Sequence, residues 1–161
     1  MIFIILAISY LLEVSFSNII PAGSFLVPLF FITGLVVIYP YFKEKRNFLI
    51  CSIICGLIYD ISFYTSGFIN TISFSFCGIL VMAFYNYFRY NIYSTTFIAF
   101  INIVIFRLIN YFLLLVLDFI VFNPKILFKG IYNSIIMNIL YVIILYRIVN
   151  LIASIFNKKK E

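Results

Sequence analysis

The stretch IYSTTFIAFINIVIFRLINYFLLLVL, residues 92–117, carries a single charge, Arg107, in a run that is otherwise mostly apolar. It exceeds the roughly 20 residues that a helix needs to cross a hydrocarbon core of about 30 Å. The rest of the chain has the same character. Of its 161 residues, 66% are apolar or aromatic and 10% are charged, and the mean hydropathy is +1.22. An ordinary soluble domain carries about 25% charged residues. So few polar groups cannot coat a water-soluble domain of this size. Soluble enzymes, nucleic-acid binders and disordered tails are thereby excluded, and a single integral membrane domain over residues 1–161 is expected.

Working outward from that run, punctuation divides the chain into six spans, about 1–20, 25–42, 48–64, 68–88, 92–117 and 130–152. Pro21-Ala22-Gly23-Ser24 and Thr65-Ser66-Gly67 read as tight turns, and Arg89-Tyr90-Asn91 closes a third hairpin. Lys43-Glu44-Lys45-Arg46-Asn47 must lie in water, and Asp118 to Lys129 forms a longer connection broken at Asn123-Pro124. Long apolar runs without alternation argue against a β-barrel. The N-terminal segment lacks a basic region and a convincing cleavage site, so it reads as a retained first helix. Lys43, Lys45, Arg46, Arg89, Arg147, Lys158, Lys159 and Lys160 fall on one side of this arrangement. Only Lys125 and Lys129 fall on the other, which places both termini in the cytoplasm. The net charge of +6 reflects this bias and an attraction to anionic lipid. Tyrosines gather near span ends, and Cys51, Cys55 and Cys77 read as small hydrophobes.

Ionisable residues inside a span cost roughly 2.5–3.5 kcal/mol on insertion scales, so each needs a partner or a function. Glu13, Asp60 and Arg107 are the three here, with Asp118 at the rim. At about 1.5 Å per residue, Glu13 and Asp60 lie about 18 Å and Arg107 about 22 Å from the cytoplasmic side. Asn138, descending from the other side, reaches a similar level. Helical spacing gives each a face: Ser9, Glu13 and Ser17; Ser52, Gly56 and Asp60; Arg107, Asn110 and Asp118. These stripes predict a bundle with a polar seam inside, and Arg107 is expected to pair with Asp60, with Glu13 or with both. Gly56 and Gly78 read first as helix-packing positions. There is no His and no Ser/His/Asp set, so no catalytic residue, metal site or cofactor is assigned.

The run from Gly56 to Asn70, GLIYDISFYTSGFIN, resembles the signature of the MreD family, bacterial rod-shape-determining membrane proteins. Gly56, Asp60 and Gly67 are the matching positions, and the chain length, short loops and basic tail are similar to that family over the whole sequence. The resemblance implies an all-α, six-helix bundle in the plasma membrane, similar to the substrate-binding subunits of energy-coupling-factor transporters. It implies a non-catalytic subunit of the cell-wall elongation complex. Its partners would be an MreC-like protein and, through it, an MreB-like filament, a RodA-like glycosyltransferase and a class B penicillin-binding protein.

The same architecture supplies a rival: the vitamin-binding subunit of such a transporter, with Asp60, Arg107, Asn110 and Asn138 around a ligand. A scaffold without soluble domains must meet its partners through lipid-facing helices, basic ends or the segment from Asp118 to Lys129. That segment is too apolar for a free loop. Phe122 and Leu127 are its expected contacts with a partner or with the membrane surface; the alternative reading is that the segment extends the fifth and sixth helices.

Overall fold

A computed structural model describes residues 2–20, 27–63 and 68–158, with side chains to residue 155. Every regular element among them is helical: α1 (Ile2–Ile19), α2 (Phe30–Ile38), a 3-10 turn (Tyr39–Tyr41), α3 (Lys45–Ser62), α4 (Ile69–Tyr87), α5 (Ile92–Val116) and α6 (Pro124–Lys158). Four helices are long and apolar enough to cross a membrane: α1, α4, α5 and α6. The turns expected at 21–24 and 65–67, Gly67 among them, and the basic tail 159–161 lie outside the described residues.

Expected boundaries are corrected in three spans. Helix α3 begins at Lys45 and not near 48, with Lys45, Arg46 and Asn47 in its first turn. Helix α6 continues to Lys158, past the expected end at 152. Among the described residues of the second span, read as 25–42, the helix continues past Ile38 only as the 3-10 turn Tyr39–Tyr41, and the α-helix of about 14 Å begins only at Phe30. Pro28 is the reason: it biases Val27 toward extended backbone and cannot continue an upstream helix. The last helix starts at Pro124 and not near Gly130. Proline suits the first helical position, and Asn123 caps it by accepting the Lys125 N–H at 3.1 Å. What was expected as one long connection is therefore a short link and an extra turn and a half of helix. The link begins with Asp118 at φ 57°, in the left-handed region. Its N–H reaches the Leu115 carbonyl and that of Phe119 reaches Leu114, the paired bonds that close a helix C-terminus.

Helix α2 organises the bundle. All nine of its residues are buried, and α1, α4, α5 and α6 enclose it. Helices α3 and α4 form the tightest hairpin, and α5 links α4 to α6. The outer faces carry Phe3, Ile4, Ile61, Phe112, Ile144 and Leu151, all exposed. Such faces suit a hydrocarbon surround.

Glycine sets how closely the α3–α4 pair approaches. A β-carbon at Gly56 would lie 2.6 Å from the Thr71 Cα and 3.0 Å from the Asn70 carbonyl oxygen, both backbone atoms that cannot turn aside. Gly78 admits Ser52 in the same way from the opposite helix. Gly130 has open space around its missing β-carbon. Gly56→Ala is therefore expected to destabilise by about 1–3 kcal/mol through overpacking. Gly130→Ala should be neutral or stabilising, since alanine favours a helix by about 1 kcal/mol. Denaturant unfolding in detergent micelles measures both.

Candidate functional site

Several of the buried polar groups, Glu13, Asp60 and Asn138 among them, meet the starts of α2 and α4. An α-helix leaves its first N–H and last C=O groups without partners, and inside a bilayer no water meets them. Here side chains from neighbouring helices do so.

At the start of α2, the Glu13 carboxylate reaches across from α1, 1% exposed. Its Oε2 accepts the Phe31 N–H at 2.7 Å, and its Oε1 accepts the Tyr59 hydroxyl at 2.7 Å. The Tyr59 ring is fixed between Phe63 and Phe74. A carboxylate at a helix N-terminus also favours the positive end of the helix dipole. On the other flank, Asn138 of α6 accepts the Leu29 N–H at 2.7 Å and donates to the Val27 carbonyl at 2.9 Å. The Val27 N–H in turn donates to the Asn133 carbonyl at 3.1 Å. The non-helical segment before α2 is thus clasped to α6 through its backbone.

At the start of α4 the acceptor is another acid. Phe68, at the capping position, offers no oxygen, and its side chain makes no cap. Asp60 of α3 replaces it. Oδ1 accepts the Asn70 N–H and side-chain amide, both at 3.0 Å, and Oδ2 accepts the Thr71 N–H at 2.8 Å and hydroxyl at 2.6 Å. Gly56, one turn earlier on α3, permits this approach. The family-like positions Gly56 and Asp60 thus serve one junction.

The far end of α2 is closed by tyrosines. Tyr85 donates to Thr95 Oγ1 at 3.0 Å and to the Val36 carbonyl at 3.3 Å; Tyr90 makes a longer contact with the Val37 carbonyl at 3.5 Å. Burial, then the Tyr41 hydroxyl, push the Tyr90 phenol well above its usual range, so it stays a neutral donor.

The expected ion pairs are not formed. Asp60 spends its oxygens on the start of α4, and Glu13 spends one on the start of α2 and the other on the Tyr59 hydroxyl, while Arg107 donates from Nε to Ser134 Oγ at 2.8 Å. Its Nη2 is buried with no hydrogen-bond partner among the described residues. Glu13 and Tyr59 nevertheless lie within its electrostatic reach. The physical reason is competition: oriented backbone donors at hydrogen-bond distance satisfy a carboxylate as well as a guanidinium does. Asn110 accepts the Ser73 hydroxyl at 3.2 Å, joining α5 to α4. A connected run results, from Arg107 through Ser134, Asn138 and the start of α2 to Glu13 and Tyr59, while Asp60 serves the separate junction at the start of α4. Phe122 stands apart, 66% exposed, with an edge contact to Tyr111. Leu127, on the first turns of α6, is half-buried.

Sequence reasoning gave no role to Tyr59, Asn70 and Ser134, and read Tyr85 and Tyr90 only as tyrosines near span ends. Ser134 was detectable, one helical turn before Asn138 on the same face. Comparison with known families, characterised proteins and solved structures finds no match to this chain.

The two acids should respond differently to amidation. In Glu13→Gln the amide oxygen can take the Phe31 N–H and the amide can donate to Tyr59, whose hydroxyl also accepts. In Asp60→Asn one backbone N–H must face an amide NH₂. Glu13→Gln is therefore expected within about 1 kcal/mol of the parent and Asp60→Asn about 1–3 kcal/mol below it, the cost of an unmet buried group. Unfolding midpoints in one detergent separate the two; equal losses would contradict these hydrogen-bond assignments.

Proposed function

We propose that this chain is a non-catalytic, multi-pass subunit of the bacterial cell-wall elongation complex, of the MreD type, acting as a membrane scaffold for partner proteins. The observation that carries the reading is the run from Gly56 to Asn70. Its distinctive residues, Gly56 and Asp60, are used in building the α3–α4 junction, a structural role that suits a scaffold. We take the chain to cross the plasma membrane six times with both ends cytoplasmic. In that arrangement α2, its 3-10 turn and the residues before it make the second crossing. The basic residues Lys43, Arg46, Arg89 and Arg147 support the orientation.

The vitamin-transporter reading is the weaker one. Asp60 and Asn138, which would face a ligand, spend their hydrogen bonds on the protein's own backbone. A binding site would keep such groups for its substrate.

Partner contact fits best where apolar side chains leave the bundle. Phe119, Val121, Phe122, Ile126 and Phe128 are all more than half exposed around the α5–α6 link. This cluster is the surface on which an MreC-like protein would seat, and through it the filament, glycosyltransferase and penicillin-binding protein.

A photo-crosslinking residue at Phe122 or Leu127, installed in the native host, is expected to capture an MreC-like protein. Crosslinks to lipid alone would contradict the docking surface. A stoichiometric vitamin carried through purification would contradict the scaffold itself.

A further inference from the structure

Helix α1 touches the bundle chiefly through α2, which leaves an open cleft on each side of it. The cleft against α6 is lined by Ile4, Ile8, Leu12, Ile144 and Ile148, with no cation among its walls. The cleft against α3 is different. It has a volume of about 780 Å³, and its walls include Leu6, Ile50, Ile54 and Ile58, with Lys43 and Asn47 where α3 begins. Helices α1 and α3 both line it, Phe3 and Lys43 among its walls, and Tyr10 bonds Ser62 across the pair.

We infer that the α1–α3 cleft is a seat for one anionic phospholipid, its acyl chain along Leu6, Ile54 and Ile58 and its phosphate at Lys43. Three features point to this occupant. The wall from Asn47 to Ile58 rises about 16 Å along the helix, close to the half-thickness of roughly 15 Å that one leaflet offers a chain. The apolar length ends at a cation and an amide, the order of groups in a lipid with an anionic headgroup. Lys45, the next lysine, is drawn away to Asn86 at 2.8 Å, which leaves Lys43 at the mouth of the cleft. The first turn of α3 has no side-chain cap, so its N–H groups add positive character beside Asn47. An anionic lipid gains at this cleft what a zwitterionic one does not, whereas the described walls of the α6 cleft offer no cation to distinguish them. The inference needs only that the chain lie in a bilayer, and it is independent of the scaffold role.

Native mass spectrometry of the purified full chain, titrated with phosphatidylglycerol or phosphatidylcholine in one detergent, tests it. One phosphatidylglycerol is expected to be retained in preference to phosphatidylcholine. Lys43→Glu should weaken that retention by at least about fivefold, the factor matching the roughly 1 kcal/mol one lysine contributes at an anionic lipid surface. Ile54→Trp, which fills the cleft, should remove it. Lys125→Glu, the same charge change away from the cleft, should leave it in place. Equal retention of the two lipids, an unaltered Lys43→Glu, or a loss as large in Lys125→Glu would each overturn the assignment. Loss in Ile54→Trp with none in Lys43→Glu also overturns it, since that marks an apolar groove without headgroup recognition.

Discussion

A nine-residue helix enclosed by protein and set within a membrane bundle has nowhere to send its terminal backbone groups except to neighbouring side chains. That constraint shapes the rest of this molecule. Each unmet N–H or C=O would cost about 1–3 kcal/mol or more in such surroundings. Glu13 and Asn138 meet the donors at the start of α2, and Tyr85 and Tyr90 meet acceptors at its end. Three of the four helices that surround α2 bear such a side chain (Glu13 on α1, Tyr85 on α4, Asn138 on α6), so the polar bonds also help choose which helices become neighbours. Apolar burial cannot do this in lipid, where tails are as greasy as leucine.

The same logic explains why the acids do not meet Arg107. An ion pair in hydrocarbon competes with the alternatives each partner has nearby. Asp60 finds four donors on one helix start, two of them backbone. Glu13 finds one backbone donor and a rigidly held phenol. Arg107 is left with Ser134 and with the field of Glu13, enough to keep it on the protein side of α5. The polar seam holds together as a chain of hydrogen bonds and not as a salt bridge.

Much of this was legible in the residues. Apolar length alone located α1, α4 and α5 to within about two residues at each end, because those helices do what hydropathy measures. The inward direction of Glu13, Asp60, Arg107 and Asn138 followed from the cost of exposing them to lipid. Helix α2 was misjudged in length because apolarity does not say whether lipid or protein surrounds a segment. Pro28, inside the expected span, held the missing signal. Asn123-Pro124 was seen as a break when it is a cap and a first helical residue. The partners of the seam were hidden for a simpler reason: a backbone N–H leaves no mark in a sequence. No pattern could say that Asp60 would turn to Asn70 and Thr71 when an arginine was also within the membrane.

The enclosure of α2 is the claim on which the others rest, and hydrophobic photolabelling in reconstituted vesicles tests it directly. A lipid-soluble carbene reagent followed by peptide mapping reports which side chains meet acyl chains. Strong labelling is expected at Phe3, Ile4, Ile8 and Leu11 of α1, with residues 29–38 at background. Labelling of Val36 and Val37 at the level of Ile4 would mean that α2 faces lipid, and the capping scheme built around it would fall.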